Sequence, residues 1–283
     1  MMAQGRKAWL GVLFACMACH SHAGEPMSVQ VLGPDGGATE SFRAALTARS
    51  DLPVSFVSDP DQAHLILALG ESAFSQAIKT RLPVIGVHIP RQIVTAARED
   101  GCLCTAVYRE ATVADQLKVL RGVLPGARKV GVLLGPESVR LRAQLEFPPL
   151  LFEIRMLSDA DELAASLGEL LPRVDVLLAL PDATLYNPDT ARLLLLASYR
   201  QTTPVIGPDE QFVRAGSLAA AHPSPEGLIE AAVMLLQYAG LPGQLPPPGH
   251  ARATISVNNR VARSYGVIAP DMDAIRQGLE ARE

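Results

Sequence analysis

Apolar and polar positions alternate in blocks along this chain. A short β-branched or leucine-rich run is followed by a Gly/Pro/acid turn and then by apolar residues at helical spacing. Val29–Leu32 leads through Gly33-Pro34-Asp35-Gly36-Gly37 into a segment with Phe42, Ala45 and Leu46 on one face. Leu65–Leu69 leads through Gly70-Glu71-Ser72 into a second, with Phe74, Ala77 and Ile78, and Val84–His88 is a further strand. Thr112 and Asp115 make a box-like start for a helix carrying Val113, Leu117, Leu120 and Leu124.

The series begins again after Leu124-Pro125-Gly126. Val130–Leu134 runs into Gly135-Pro136-Glu137-Ser138 and a predicted helix, followed by a strand near Leu151–Met156 and a helix with Leu163, Leu167, Leu170 and Leu171 inward. Val174–Leu180 ends at Pro181-Asp182, Asn187-Pro188 caps a helix through Tyr199, and Pro204–Ile206 ends in Gly207-Pro208-Asp209. Uninterrupted apolar strands alternating with helices predict parallel sheets covered on both faces. The expected fold class is therefore α/β, with two Rossmann-like lobes: 24–112 and 113–217. Leu218–Ala221, a helix from Ser224-Pro225 through Leu236, the Pro/Gly-rich stretch Gly240–Gly249, Thr254–Val257 and Val261–Tyr265 are too few for a third core. Part of 218–247 is expected to return to the first lobe and 248–283 to pack on the second.

Residues 1–23 have a different character. Arg6 and Lys7 precede the apolar run Ala8–Ala18, and Ser21 and Ala23 sit at −3 and −1 of a cleavage site before Gly24. That order predicts a secretory signal and a periplasmic destination; the run is too short for a spanning helix, and Cys16 and Cys19 lie in poor lipoboxes. Cleavage removes two basic residues, the single Trp and two of the 4 Cys, leaving a chain more acidic than the formal −4. Cys102 and Cys104, separated by one residue, are expected to be two ordinary small residues and not a disulfide.

Composition changes the picture mainly by exclusion. With 48% apolar and 19% charged residues the chain is no disordered segment, and its acidic balance argues against a nucleic-acid partner. There is no Walker loop, no Gly-x-Gly-x-x-Gly and no nucleophile elbow, and His64, His88, His222 and His250 lack metal-ligand spacing. No cofactor and no catalytic residue is expected. In open parallel sheets ligands lie beyond the carboxyl ends of the strands. That rule singles out Gly33, Asp35, Gly70, Glu71, Ser72, Gly135, Asp182 and Asp209, with Tyr108, Tyr186 and His222 beside them; Arg109 is a further charge partner. Helix starts there suit a zwitterionic or anionic small molecule.

The segment Leu117–Pro136 resembles the lobe junction of the ABC transporter substrate-binding family that includes aromatic amino-acid binders. Val174–Asp182, Thr203–Gly207 and Val213–Gly216 are similar to later parts of the same family. The tail Ser256–Pro270 resembles its closing pattern of asparagine, alanine, glycine and proline. In the first lobe Gly70-Glu71-Ser72-Ala73 fits loosely, and His88-Ile89-Pro90-Arg91 replaces the usual Asp-Pro segment. The resemblance implies a type I periplasmic binding fold, an interlobe cleft and delivery of a small ligand to an ABC permease. Two alternatives stand beside it: a periplasmic sensing protein acting on a membrane sensor or envelope partner, and a secreted hydrolase.

Overall fold

The predicted apolar runs become strands whose side chains are buried on both faces, as Leu65–Ala68 and Val130–Leu134 show. The computed structural model describes residues 26–49, 52, 54–239, 245–267 and 270–280. The predicted signal segment 1–23, and 240–244 of the Pro/Gly-rich stretch, lie outside the described residues.

The first half comprises β1 (Met27–Leu32), α1 (Gly37–Thr47), β2 (Val54–Val57), β3 (Leu65–Leu69), α2 (Gly70–Ala77), β4 (Val84–Ile89), α3 (Arg91–Glu99) and β5 (Cys104–Tyr108). The second comprises α4 (Val113–Val123), β6 (Lys129–Leu134), β7 (Leu151–Met156), α5 (Leu163–Leu170), β8 (Val176–Leu178), α6 (Pro188–Arg200), β9 (Val205–Ile206), α7 (Glu210–Ala215) and β10 (Ala219–Pro223). Then come α8 (Pro225–Ala239), β11 (Gly249–His250), β12 (Ala253–Val257), α9 (Asn259–Ser264) and α10 (Met272–Glu280).

Two six-stranded sheets result, ordered β11-β5-β4-β3-β1-β2 and β12-β10-β9-β8-β6-β7. Every pairing is parallel except β10 with β12. The second sheet repeats the strand order of the first. The α8 residues Ala232 and Leu236 share a core with Val29, Leu67 and Ile85, so this helix covers the first sheet, whereas Ile275 and Leu279 of α10 pack with Val119, Val123 and Ile255 on the second. The chain therefore crosses between the sheets after β5, after β10 and after β11. These apolar layers supply most of the stabilisation, at about 1.5–3 kcal/mol for each large side chain fully buried. Gly86 of β4 marks one tight contact: a Cβ there would come within 2.7 Å of the fully buried Phe74 ring.

Local signals explain most boundaries. Thr112 Oγ1 accepts from Asp115 N at 3.0 Å while Thr112 N donates to the Asp115 carboxylate at 3.2 Å, a reciprocal cap on α4. Asn187 Oδ1 accepts from Asp189 N and Thr190 N at the start of α6. The helix predicted after Ser138 is only a 3-10 turn over Val139–Gln144, because Phe147-Pro148-Pro149 follows closely and proline cannot continue an α-helix. The expectation for Cys102 and Cys104 is also corrected: they form a disulfide with Cα atoms 5.4 Å apart. Cys104 N donates to Cys102 O at 3.0 Å, so a tight three-residue turn at the start of β5 joins the two cysteines, whose i, i+2 spacing already puts them on one side of an extended chain.

The Asp175 carboxylate accepts from Arg128 N and Lys129 N at 2.7 and 2.8 Å, and these two backbone donors hold its pKa below the ordinary value. A carboxyl shifted downward on folding stabilises the fold at neutral pH, and that contribution disappears as pH falls through its folded-state pKa. Asp175→Asn is thus expected to lower the melting temperature at pH 7, and the gap from the parent should close as pH falls below the ordinary Asp range. A gap that stays constant with pH would exclude this source of stability.

Candidate ligand-binding cleft

At the carboxyl ends of the second sheet, β6 and β8 diverge to opposite sides, and the crevice between them is filled by Asp182, 3% exposed. Its Oδ2 accepts from Ser138 Oγ, Ser138 N and Glu137 N at 2.8, 3.0 and 3.2 Å; its Oδ1 accepts from Thr184 N and Leu185 N at 3.1 and 3.3 Å. The carboxylate thus satisfies two loops at once, where helix starts would otherwise leave donors unpaired. Gly135 is required by this approach, since a Cβ would stand 2.6 Å from Asp182 Oδ2. Nearby, the buried Tyr186 hydroxyl donates to Leu133 O at 3.0 Å; burial and the Asp182 charge push its pKa up.

Between the sheets lies a cavity of about 240 Å³. Arg91 and Gln92, at the start of α3, face it from the first lobe; Glu137, Arg140 and Pro181 face it from the second; Glu110 and Ala111 of the first crossover lie between. Ala111, Val113, Leu141 and Leu180 give it an apolar lining. Among the described residues no ion pair involves Arg91 or Arg140.

The crossover is fastened by a polar cluster. Both Glu110 carboxylate oxygens accept from Arg91 N, at 3.3 and 3.2 Å, capping α3. Burial pushes the Glu110 pKa up, against hydrogen bonding to backbone N–H groups and the charges of Arg109 and Arg91. The Arg91 guanidinium lies 4.7 Å from the Tyr108 ring centre and contacts His250 Nε2, while His250 Nδ1 is 2.8 Å from Glu110 O. A carbonyl only accepts and a guanidinium only donates, so these two contacts suit the His250 tautomer with its proton on Nδ1. Buried Gln116 ties the far side: its Nε2 donates to Pro208 O and Ala221 O, and its Oε1 accepts from Ala221 N.

The residues singled out from sequence divide into four groups. Asp182, Tyr186 and Asp209 line a depression of about 50 Å³ beside Arg109 and Glu110, although the Asp209 carboxylate also accepts from Phe212 N at 2.9 Å to cap α7. Gly135 lies against Asp182, and Tyr108 against Arg91 and His250, and neither lines the cavity. Gly33, Asp35, Gly70, Glu71 and Ser72 gather where β1 and β3 diverge, beside α1 and α2 starts without a side-chain cap, and they do not line the cavity. His222 engages Ser256 Oγ at 2.9 Å and Pro223 O at 3.1 Å. His88 sits at a β4 irregularity with φ 63°; desolvation, then the Arg109 and His222 charges, hold its pKa down, and Asp209 opposes them. Sequence reasoning missed Arg91, Glu110, Gln116 and Arg140 as cleft residues, and it marked the Gly135-Pro136-Glu137 turn without singling out Glu137. The clue to the first two was position: Arg91 follows β4 and Glu110 follows β5, at the same strand ends that singled out the others.

No protein-family profile matches the chain, and no curated protein matches it. Solved structures do. A conserved domain protein from Vibrio cholerae is 17% identical, with 88% of this chain and 97% of that one covered and a TM-score of 0.53. The ligand-free, open structure of a substrate binding protein with adhesive properties from Clostridium difficile is 17% identical over 87% and 96%, with a TM-score of 0.59. An ABC domain in complex with L-Trp from Streptococcus pneumonia is likewise 17% identical, over 87% and 96%, with a TM-score of 0.53. The likeness shows the fold, an α/β two-lobe arrangement of the type I periplasmic-binding kind. Among the described residues no helix is long and apolar enough to cross a membrane, and no group of three or more His, Cys, Asp or Glu could hold a metal ion.

Removing the Asp182 carboxylate leaves buried backbone donors unpaired. Asp182→Ala is expected to cost on the order of 3 kcal/mol in urea unfolding. A variant as stable as the parent would show that water replaces the carboxylate and that the side chain is free for a ligand.

Proposed function

We propose that this protein is a periplasmic solute-binding protein that captures a small zwitterionic or anionic molecule between its lobes and delivers it to an ABC importer. The observation that carries this reading is the cavity itself, which brings Arg91 and Arg140, from opposite lobes, to one apolar-lined space with Glu137. A ligand carboxylate there gains charge-assisted hydrogen bonds from guanidinium groups that have no ion pair among the described residues, and the free oxygen of Glu137 suits an ammonium group. The other Glu137 oxygen already accepts from Ala183 N at 2.8 Å. Resemblance to a substrate binding protein and to a structure complexed with L-Trp supports a small-molecule role. The basic, apolar and small-residue order of 1–23 supports export.

Binding is read by thermal shift against a panel of amino acids, organic acids and sugars, paired with native mass spectrometry of freshly purified protein. A cognate ligand at 100 times its Kd stabilises by about 2.7 kcal/mol. Arg140→Gln should weaken that ligand about tenfold or more while leaving the unliganded melting temperature unchanged, because Arg140 is exposed. An empty cleft in every preparation and no shift across the panel would overturn the reading.

A further inference from the structure

Helix α6 is apolar on more than one side. Its sequence Pro188–Arg200 carries four consecutive leucines, of which Leu194 is buried together with Ala191 and Ser198 against the rest of the second lobe. The opposite side is left uncovered: Leu193 is 44% exposed, Leu196 46% and Tyr199 64%, with Asp189, Arg192 and Arg200 exposed around them. At 100° per residue, Asp189, Leu193, Leu196 and Arg200 fall within about 60° of one another, a stripe along the helix. Among the described residues no ion pair involves Asp189, Arg192 or Arg200.

This stripe is complementary to itself when reversed. A two-fold axis passing between Leu194 and Leu195 places each residue opposite the one equally far from the helix centre on a second copy. Leu193 then meets the partner's Leu196, and both pairs form the centre of the contact. Asp189 and the partner's Arg200 lie at the same height, about 8 Å from the axis, at a rise of 1.5 Å per residue. The arrangement forms that ion pair twice, once at each end, and antiparallel helix dipoles oppose each other favourably. Arg192 and Tyr199 lie on one flank of the stripe, and the same axis puts each Arg192 about 3 Å along the helix from the partner's Tyr199, within reach of a cation–π contact. A parallel pairing would instead set like charges together.

We propose that α6 is a homodimer interface, packed antiparallel against α6 of a second copy of this chain. No α6 residue lines the interlobe cavity, so the contact uses none of the cavity's lining. One helix per subunit is a small interface, which sets the expected dimer Kd on the order of 10 µM.

Sedimentation velocity on the full-length protein from about 1 to 200 µM tests this. The wild type is expected to pass from monomer to dimer across that range. Leu196→Glu should remain monomeric throughout with an unchanged melting temperature, as befits an exposed position. Asp189→Arg and Arg200→Asp should each weaken the dimer about tenfold, and the double charge swap should restore it. A wild type monomeric at every concentration, or a dimer indifferent to Leu196→Glu, would overturn the interface. Failure of the double swap to recover dimerisation would overturn the antiparallel register.

Discussion

In a parallel α/β lobe every strand delivers the chain to a loop and then to a helix start, and each helix start presents backbone N–H groups with no partner. How those donors are satisfied decides what the mouth of the lobe can do. In the second lobe Asp182 accepts from the loops after β6 and β8 together, with Gly135 making room for it. In the first, Glu110 reaches back to cap α3, and the same residue's carbonyl accepts from His250. Two buried carboxylates therefore take up donors that a ligand anion would otherwise use. On the proposed binding role, recognition in the cavity falls to side chains, above all Arg91, Arg140 and Glu137.

That substitution explains what was legible in the sequence. Strand and helix periodicity, the reciprocal caps at Thr112 and Asn187, and the two-lobe architecture follow from local rules that tertiary packing does not overturn. The turns after the strands were also readable as the region of interest. The direction each acid points was not: Asp182 in a Pro-Asp-Ala turn has the composition of a ligand-contacting residue, and only the approach of Ser138 from another strand turns it inward. The role of Glu110 is not legible because its partner, Arg91 N, is distant in sequence and belongs to the backbone. The Cys102–Cys104 pairing depends on one turn's dihedral angles, which spacing alone does not specify.

The two sheets share one strand order, yet their switch points differ. In the second lobe the crevice between β6 and β8 is closed by Asp182 and by Tyr186 beneath it. In the first, the crevice between β1 and β3 is bounded by Gly33 and Gly70, and neither α1 nor α2 has a side-chain cap. The lobes are thus topological repeats with unequal mouths. On the first-lobe side the cavity is displaced from the β1–β3 crevice toward β4, β5 and the first crossover, where the chain passes between the lobes; on the second it is lined by Glu137 and Pro181, which flank the closed crevice.

That displacement ties recognition to the joint. Arg91 stands over Tyr108 at the end of β5, contacts His250 at the third crossover, and starts the helix that Glu110 of the first crossover caps. A ligand drawing the Arg91 guanidinium into the cavity competes with its contact to His250, while its Glu110 cap, made through the backbone, persists. Such a ligand acts directly on a contact between segments that any change in the angle between lobes must also rearrange. Arg140 has no such tie and faces the cavity from the far lobe. On the proposed binding role, a ligand at this cavity makes the differential contacts that a population shift between two arrangements of the lobes requires.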